Sequence, residues 1–210
     1  MNPWPICGPC VDACGLRGVS GVTGEPACPS CGRELLAERD RCLRCRQRRY
    51  AFDRVVSMRA YHGRFKDLIA AYKFGRRPEL APFFAALAAA RLSMEFPGRV
   101  LVPVPPRPGK LRSLGWDQVE LVSRILERGY GVPVARVLRR LPAGEQKRLD
   151  RQERFRNAES AYGMALGRDA PPDPVLLDDI ITTGATLSAC AAALKRAGAR
   201  RVDALALAAD

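Results

Sequence analysis

The sequence predicts an α/β fold in which a mainly parallel sheet is flanked by helices, with a small cysteine-rich region in front of it. After Tyr50, short apolar segments typical of strands alternate with segments of helical periodicity, which favours parallel strands with helices on both faces. Residues 1–50 are instead rich in Cys, Gly, Pro and Arg. The 210 residues are enough for one α/β domain of about 150 residues and a small addition. We therefore expect two domains, 1–50 and 51–210.

The first predicted elements follow directly after the cysteine-rich region. Val55 to Tyr61 has the alternation of a strand. The next two segments are predicted to be helices because their apolar residues recur at i, i+3, i+4 and i+7. These residues are Phe65, Leu68, Ile69 and Tyr72 in one helix, and Leu80, Phe83, Phe84 and Leu87 in an Ala-rich helix that runs toward Met94. A short apolar strand, 100–102, comes next.

The second half of the chain continues the alternation of helices and strands. Asp117 is a suitable N-cap for a helix that ends near Gly129, and a further amphipathic helix ends at Gly198. Three more strands are predicted over 134–138, 175–177 and 202–208. We expect the Arg-rich stretch between the first two of these strands to be a loop or an exposed helix.

Basic residues are concentrated in two stretches of this chain, whose formal net charge is +13. Seven arginines lie between positions 39 and 54, and eight basic residues between 136 and 156. Because neutralising phosphates releases counterions, such density is typical of proteins that bind nucleic acid or another polyanion. Ordinary solvated faces of an Arg-rich protein are the alternative, and charge alone does not separate the two.

The apolar residues are distributed as in a globular protein, with 47% hydrophobic and 27% charged residues. No apolar run reaches the length of about 18 residues that a membrane-spanning helix needs, so we expect no membrane insertion. The N-terminus also lacks the basic stretch and apolar core of a signal peptide. We therefore expect a cytoplasmic protein, in which clustered cysteines are metal ligands rather than disulfides.

Two Cys-x2-Cys pairs separated by ten residues predict a structural zinc site. Four thiolates with this spacing can surround Zn²⁺ tetrahedrally, as in a zinc ribbon. The predicted ligands are Cys28, Cys31, Cys42 and Cys45. A third pair, Cys7 and Cys10, also has a spacing compatible with zinc, and the sequence alone does not decide which pairs join or whether Cys14 contributes. The alternative is a set of redox-active or idle thiols.

The stretch from Val175 to Thr186 has the pattern of a phosphate-binding loop. An apolar strand is followed by the carboxylates of Asp178 and Asp179, and a Thr-Thr-Gly-Ala-Thr turn then opens a helix. Backbone N–H groups at a helix N-terminus bind anions, and Gly184 permits a positive φ and a close approach of the ligand. The predicted phosphate ligands are Thr182, Thr183, Gly184, Ala185 and Thr186.

The two carboxylates suit a different part of the same ligand. They would repel a phosphate, but a carboxylate can accept hydrogen bonds from the hydroxyls of a ribose. Phosphate and diol together describe a ribose 5-phosphate. The alternative is that Asp179 and Thr182 merely cap a helix while Gly184 makes a turn.

This stretch resembles the phosphoribosyl pyrophosphate (PRPP) loop of type I phosphoribosyltransferases, and the whole chain from about Cys7 resembles the ComF family of competence-associated proteins. The supporting segments are Tyr61-His62-Gly63, Leu68-Ile69, Lys73-Phe74, Val102-Pro103-Val104-Pro105, Gly115-Trp116-Asp117-Gln118, Gln146 and Arg154-Phe155-Arg156-Asn157. The resemblance implies a type I phosphoribosyltransferase-like fold with an N-terminal zinc ribbon. One departure is Gly-Trp-Asp-Gln where the family usually has Gly-Phe-Asn-Gln, so Asp117 adds a negative charge near an anion site.

The resemblance also implies roles for individual residues. Asp178 and Asp179 would hold the ribose hydroxyls of PRPP, and the Thr-rich loop would hold its 5-phosphate. Pro103, Val104 and Pro105 would bind pyrophosphate, with Arg107, Lys110 or Arg112 as supplementary cations. Mg²⁺ would come with the substrate, because it prefers phosphate oxygens and water over a protein cage.

Two functions from different classes follow. The first is a PRPP-binding protein of the DNA-uptake (natural transformation) machinery, whose ribbon contacts single-stranded DNA and which acts with other competence proteins. The DNA contacts would be Arg44, Arg46, Arg48 and Arg49, and Tyr50 or Phe52 either stack on bases or pack the ribbon onto the main domain. The second is a metabolic phosphoribosyltransferase that transfers phosphoribose from PRPP to a base or amine, with no catalytic residue assigned.

Overall fold

The computed structural model describes residues 6–13, 27–33, 35, 37–106, 109, 115–141 and 161–210. Its helices are α1 (Gly8–Ala13), α2 (Gly63–Lys73), α3 (Ala81–Glu95), α4 (Gln118–Tyr130) and α5 (Ala185–Arg196), with a short 3-10 turn over Pro78–Leu80. Its strands are β1 (Arg54–Ala60), β2 (Leu101–Pro103), β3 (Leu138–Arg140), β4 (Tyr162–Met164), β5 (Val175–Ile181) and β6 (Asp203–Ala209). Within this part of the chain, no helix has both the length and the apolar character needed to cross a membrane.

The main sheet contains four parallel strands in the order β1-β6-β5-β2. One of its two inner strands, β6, is buried along its whole length, and its residues are almost all Ala and Leu. A strand buried on both faces is expected to be continuously apolar rather than alternating. The prediction of an α/β fold with a mainly parallel sheet is therefore confirmed.

Helices cover both faces of this sheet. One face packs against α2, α3 and α4, and residues such as Phe84, Val122 and Leu205 form its core. The other face packs against α5 and a small antiparallel hairpin of β3 and β4, with Leu176 and Leu194 in its core. The sheet is the middle of three layers, and this arrangement brings the N-terminus of α5 to the carboxyl edge of β5.

The predicted cap of α4 is confirmed. The side chain of Asp117 accepts a hydrogen bond from the backbone N–H of Glu120 at 2.8 Å, which satisfies one of the donors left free in the first helical turn. The helix ends with Gly131 in the left-handed region at φ 65°. Glycine is favoured there because it has no Cβ to clash with the following carbonyl.

Two strand predictions were wrong in their bounds. Val134 forms only an isolated parallel bridge with Leu101, because the next bond of the ladder would need a backbone N–H at Pro103, which proline lacks. The chain then leaves the main sheet, and the strand of this region is β3, paired with β4. In addition, β5 does not stop at Leu177 but continues to Ile181, so Asp178 and Asp179 lie within the strand rather than after it. The Arg-rich segment predicted as loop or helix lies largely outside the described residues.

The cysteine-rich region contacts the main sheet directly. The backbone N–H of Val55 in β1 donates to the carbonyl of Pro29 at 2.8 Å. The hydroxyl of Ser57, also in β1, donates to the carbonyl of Gly32 at 2.7 Å. The first Cys-x2-Cys turn therefore lies along β1, on the side away from β6.

Candidate functional site

A cavity of about 570 Å³ lies at the carboxyl ends of β2 and β5. Residues from three predicted ligand sets line it: Asp178 and Asp179, Thr182 and Thr186, and Val104 and Pro105. In an open α/β sheet, ligands bind in the crevice at this edge, because helix N-termini and loops converge there. The fold therefore brings together segments that are more than seventy residues apart in the chain.

The two acids face opposite sides of the sheet, as consecutive strand residues do. The charge of Asp179 helps to raise the pKa of Tyr72 in α2, whereas the charge of Asp178 helps to raise the pKa of Cys190 in α5; burial is the larger cause of both shifts. Each carboxylate also accepts a hydrogen bond from the backbone N–H of the following residue. The N–H of Asp179 donates to Asp178 at 2.8 Å, and the N–H of Ile180 donates to Asp179 at 2.7 Å. These bonds fix the orientation of both carboxylates at the cavity wall.

Lys73 is a site residue that the sequence analysis did not assign. Its Nζ lies 2.8 Å from Oδ2 of Asp179, and it is the one cation among the described lining residues. The short distance between Lys73 and Asp179 could not be derived from their spacing in the sequence, because α2 and β5 are more than a hundred residues apart. The sequence did contain one indication of this residue: Lys73-Phe74 is among the segments that support the family resemblance, although the sequence analysis assigned it no ligand.

The Thr-rich turn forms the N-terminus of α5. Gly184 is the N-cap residue and adopts a left-handed conformation at φ 73°. Thr182 and Thr186 line the cavity, whereas Thr183 is exposed and its Oγ1 accepts from the N–H of Ala185 at 3.4 Å. Thr183, Gly184 and Ala185 are not among the cavity-lining residues, so the structure gathers part of the predicted phosphate set at the cavity.

The predicted pyrophosphate segment is divided in a similar way. Val104 and Pro105 line the cavity, and the N–H of Val104 donates to the carbonyl of Leu177 at 3.0 Å. Pro103 is buried in β2 and does not line the cavity. Arg107 lies outside the described residues, as do Lys110 and Arg112.

The cavity wall carries more negative than positive charge among its described residues. Asp117 joins the two strand acids there, opposite the single cation Lys73. Beneath the wall, burial together with the charges of Asp117 and Asp179 raises the pKa of Tyr72 far above its usual range. The hydroxyl of Tyr72 therefore stays protonated, and it donates to the carbonyl of Gln118 at 2.8 Å.

The second candidate site is the cysteine cluster. The sulfurs of Cys28, Cys31, Cys42 and Cys45 all lie within 4.8 Å of one another, and all four residues are buried. Zn–S bonds of about 2.3 Å in a tetrahedron place the sulfurs about 3.8 Å apart. The Cys31 and Cys42 sulfurs are 3.7 Å apart. The predicted ligand set is therefore confirmed as a cluster that can hold a structural zinc ion.

The electrostatics of the cluster favour a cation at its centre. Burial raises the pKa of the Cys31 thiol, and the charges of Cys28 and Cys45 raise it further. A divalent cation reverses this effect, because it stabilises every thiolate that surrounds it.

Of the other cysteines, the two whose side chains the structure describes, Cys7 and Cys190, do not join this cluster. Cys7 is exposed, the side chain of Cys10 and the whole of Cys14 lie outside the described positions, and Cys190 is buried in α5. Cys190 is part of the core between α5 and the sheet.

The predicted DNA-contacting arginines surround the second Cys-x2-Cys turn. Arg44, Arg46 and Arg49 are exposed, whereas Arg48 is half-buried. The guanidinium of Arg44 donates to the carbonyl of Asp210 at 3.4 Å. Exposed guanidinium groups in this number form a positive surface beside the cysteine cluster.

The aromatic residues after the ribbon pack against the protein. The rings of Tyr50 and Phe52 stack with centroids 4.8 Å apart, and only 5% of Phe52 is exposed. Phe52 lies in the core beside α5, and Tyr50 packs against both this core and the cysteine cluster. Of the two alternatives left open by the sequence, packing of the ribbon onto the main domain is the one the structure shows.

Comparisons with known proteins identify three kinds of relative. The chain is 29% identical over 215 residues to a protein of Escherichia coli K12 named DNA utilization protein YhgH, covering 97% of this chain and 89% of the relative. It is 26% identical to competence protein F of Haemophilus influenzae, covering 87% of this chain and 84% of the relative. It is 27% identical to competence protein ComFC of Streptococcus pneumoniae, covering 88% of this chain and 81% of the relative. No family model matches the chain.

Proposed function

The relatives named for competence and DNA utilization support placing this chain in the ComF family, and from that premise we propose that it binds PRPP or a related ribose phosphate and acts in DNA uptake. The observation that carries the proposal is the cavity at the carboxyl edge of the sheet, where strand acids and the Thr-rich turn meet. We expect this protein to act in the cytoplasm, together with other proteins of the competence machinery.

The cavity supports ribose phosphate as the ligand for a chemical reason. Its acids accept hydrogen bonds and repel anions, whereas the turn before α5 offers backbone N–H groups and hydroxyls to an anion. A ligand with a diol at one end and a phosphate at the other matches both. The diol would contact Asp178 and Asp179, and the phosphate would contact Thr182 to Thr186.

Lys73 gives this proposal a specific consequence. Its ammonium pairs with Asp179, so a ribose hydroxyl that hydrogen-bonds to this carboxylate must share it with a cation or displace one. The released ammonium would then face the pyrophosphate that PRPP carries on the neighbouring ribose carbon. Mg²⁺ would bind between phosphate oxygens and a carboxylate, and the acidic wall is a suitable donor set for it.

Isothermal titration with PRPP and Mg²⁺ tests the cavity. The double variant Asp178→Asn with Asp179→Asn should lose binding, because both hydroxyl acceptors of the ribose are weakened. A matched control is Asp169→Asn with Asp173→Asn, which removes the same charge from the surface and should bind like wild type. Equal binding by the two double variants would remove the ribose assignment.

The ribbon arginines support a single-stranded nucleic acid as the second partner. Filter binding across a salt series should show an affinity that falls steeply with salt, by about 0.7 in logarithmic slope for each phosphate neutralised. Replacing Arg46, Arg48 and Arg49 by Ala should lower that slope by about 2. The control replaces the exposed Arg64, Arg128 and Arg168 by Ala, which preserves the net charge of the test variant.

The salt series has two outcomes that contradict the proposal. Equal loss of slope in both triple variants would show that net charge, rather than the ribbon, attracts the strand. An absence of binding by wild type at low salt would remove nucleic acid as a partner.

A metabolic phosphoribosyltransferase remains the second candidate, and one observation favours it. The ring of Phe74 is 68% exposed and lines the cavity, so it offers a stacking surface for a planar acceptor base. Release of pyrophosphate from PRPP in the presence of candidate bases or amines distinguishes this function from binding alone. Positioning and electrostatics would carry such a reaction, because an oxocarbenium-like centre needs stabilisation rather than a protein nucleophile.

A further inference from the structure

Tyr50 contacts both candidate sites, although they belong to different parts of the chain. Its hydroxyl lies 3.7 Å from the sulfur of Cys45, and its ring packs against Gly184 in the Thr-rich turn. We propose that Tyr50 is a positioning residue that couples the metal cluster to the phosphate-binding turn, so that metal occupancy of the cluster controls the affinity of the turn for phosphate. This proposal deepens the proposed function and rests on it for the identity of the ligand.

The contact with Cys45 gives Tyr50 one fixed end. A phenol O–H can donate to a thiolate, and groups that hydrogen-bond to a metal ligand orient that ligand and tune its basicity. The same bond fixes the phenol, because a metal-bound sulfur has a defined position.

The contact with Gly184 gives the ring a second function. A Cβ at this position would lie 2.8 Å from Cε1 of Tyr50 and 3.3 Å from Cδ1, so the ring lies directly against the backbone of the turn. Gly184 has a φ of 73°, and its conformation sets the direction of the N–H groups that follow it. A ring in this place prevents the turn from relaxing toward the metal cluster.

The residues after Tyr50 hold the ring in this orientation. The N–H of Ala51 donates to Oγ of Ser188 at 3.0 Å, and the N–H of Ser188 donates to the carbonyl of Gly184 at 2.9 Å. The ring of Phe52 stacks on Tyr50 from the buried side. Three consecutive residues thus join the ribbon to the first turn of α5, so a displacement of the cluster moves this turn.

The test uses amide hydrogen exchange over residues 182–188, which needs no ligand, and titration with ribose 5-phosphate, which does. In zinc-loaded protein, Tyr50→Leu should raise the exchange rate of this segment and weaken ribose 5-phosphate binding by about 5-fold or more, the usual lower range of coupling between sites. Tyr50→Phe keeps the ring against Gly184 but loses the contact with Cys45, so its exchange rate and affinity should lie between those of wild type and Tyr50→Leu. Tyr130→Leu, a substitution of a half-exposed tyrosine in α4, is the control.

Removal of zinc by a chelator completes the test. In wild type it should raise exchange over 182–188 by about 5-fold or more, whereas in Tyr50→Leu it should add no further increase because the connection is already lost. Exchange in β1, which contacts the ribbon independently of Tyr50, should rise equally in both proteins.

The outcomes separate the two proposals. The coupling is refuted if zinc removal raises the exchange rate of residues 182–188 by the same factor in Tyr50→Leu as in wild type, because the two effects are then independent. It is also refuted if neither change alters this exchange rate. If wild type does not bind ribose 5-phosphate, the proposed function fails, and the exchange data still decide whether Tyr50 holds the turn.

Discussion

Replacement of Gly184 by alanine should destabilise the protein through two separable effects. The left-handed φ of 73° costs an L-residue about 1–2 kcal/mol. The new Cβ would also lie 2.8 Å from Cε1 of Tyr50, whereas carbon atoms prefer about 3.5–4.0 Å. The ring must withdraw by most of an ångström, and overpacking of this kind costs about 1–3 kcal/mol. The expected loss in the free energy of unfolding is therefore roughly 2–5 kcal/mol.

A double-mutant cycle measured by urea denaturation in excess zinc separates these effects. In a Tyr50→Ala background the steric part disappears, so Gly184→Ala should cost only the backbone part of about 1–2 kcal/mol. Gly167→Ala is a matched control, because Gly167 has a φ of 65° and a Cβ added there would meet no atom within 4 Å. Its cost should match that of Gly184→Ala in the Tyr50→Ala background. An equal cost of Gly184→Ala in both backgrounds would refute the close packing of the ring.

Three further predictions concern the metal, a buried charge and pH. Cys42→Ser should lower the zinc content of purified protein measured by atomic absorption, and an unchanged zinc-to-protein ratio would contradict the ligand set. Arg99→Ala should lower the free energy of unfolding by about 1–3 kcal/mol, because the fully buried Asp203 loses one of its two ion pairs and keeps the one with Arg201; an unchanged stability would contradict this. Burial raises the pKa of Asp53, but the N–H of Val202 and the Lys195 ammonium lower it by more, so the net shift is downward from 3.8. The ionised Asp53 carboxylate therefore stabilises the folded protein above pH 3.8, and this contribution is lost as the pH falls below that value. In acid titrations followed by circular dichroism, the advantage of wild type over Asp53→Asn should therefore shrink below this pH, and a constant difference would refute the assignment.

Features that depend on neighbouring residues could be predicted from the sequence. Asp117 caps α4 because a short acceptor side chain stands three residues before a free N–H. The Cys-x2-Cys spacing specified the cluster because two ligands of one metal must lie in one turn. The position of Gly184 at the start of α5 likewise follows from local turn chemistry.

Features that depend on tertiary packing could not be predicted in this way. Lys73 meets Asp179 only because α2 packs beside β5, and no periodicity in either segment encodes that distance. The β3–β4 hairpin was missed because each strand has three residues, which is too short for an alternating pattern to be recognised. The prediction of a longer strand over 134–138 failed because Pro103 in β2 has no backbone N–H to continue the pairing beyond Val134.

The Cys-x2-Cys turn that lies along β1 has a consequence for self-association. β1 is the terminal strand of the sheet, and the carbonyl of Pro29 occupies a donor that would otherwise be available to a strand of another molecule. A metal ion that holds this turn in place would therefore protect the protein from intermolecular strand pairing as well as shape the ribbon. Chelation should make the protein aggregate in a concentration-dependent way, and light scattering would detect this before secondary structure is lost.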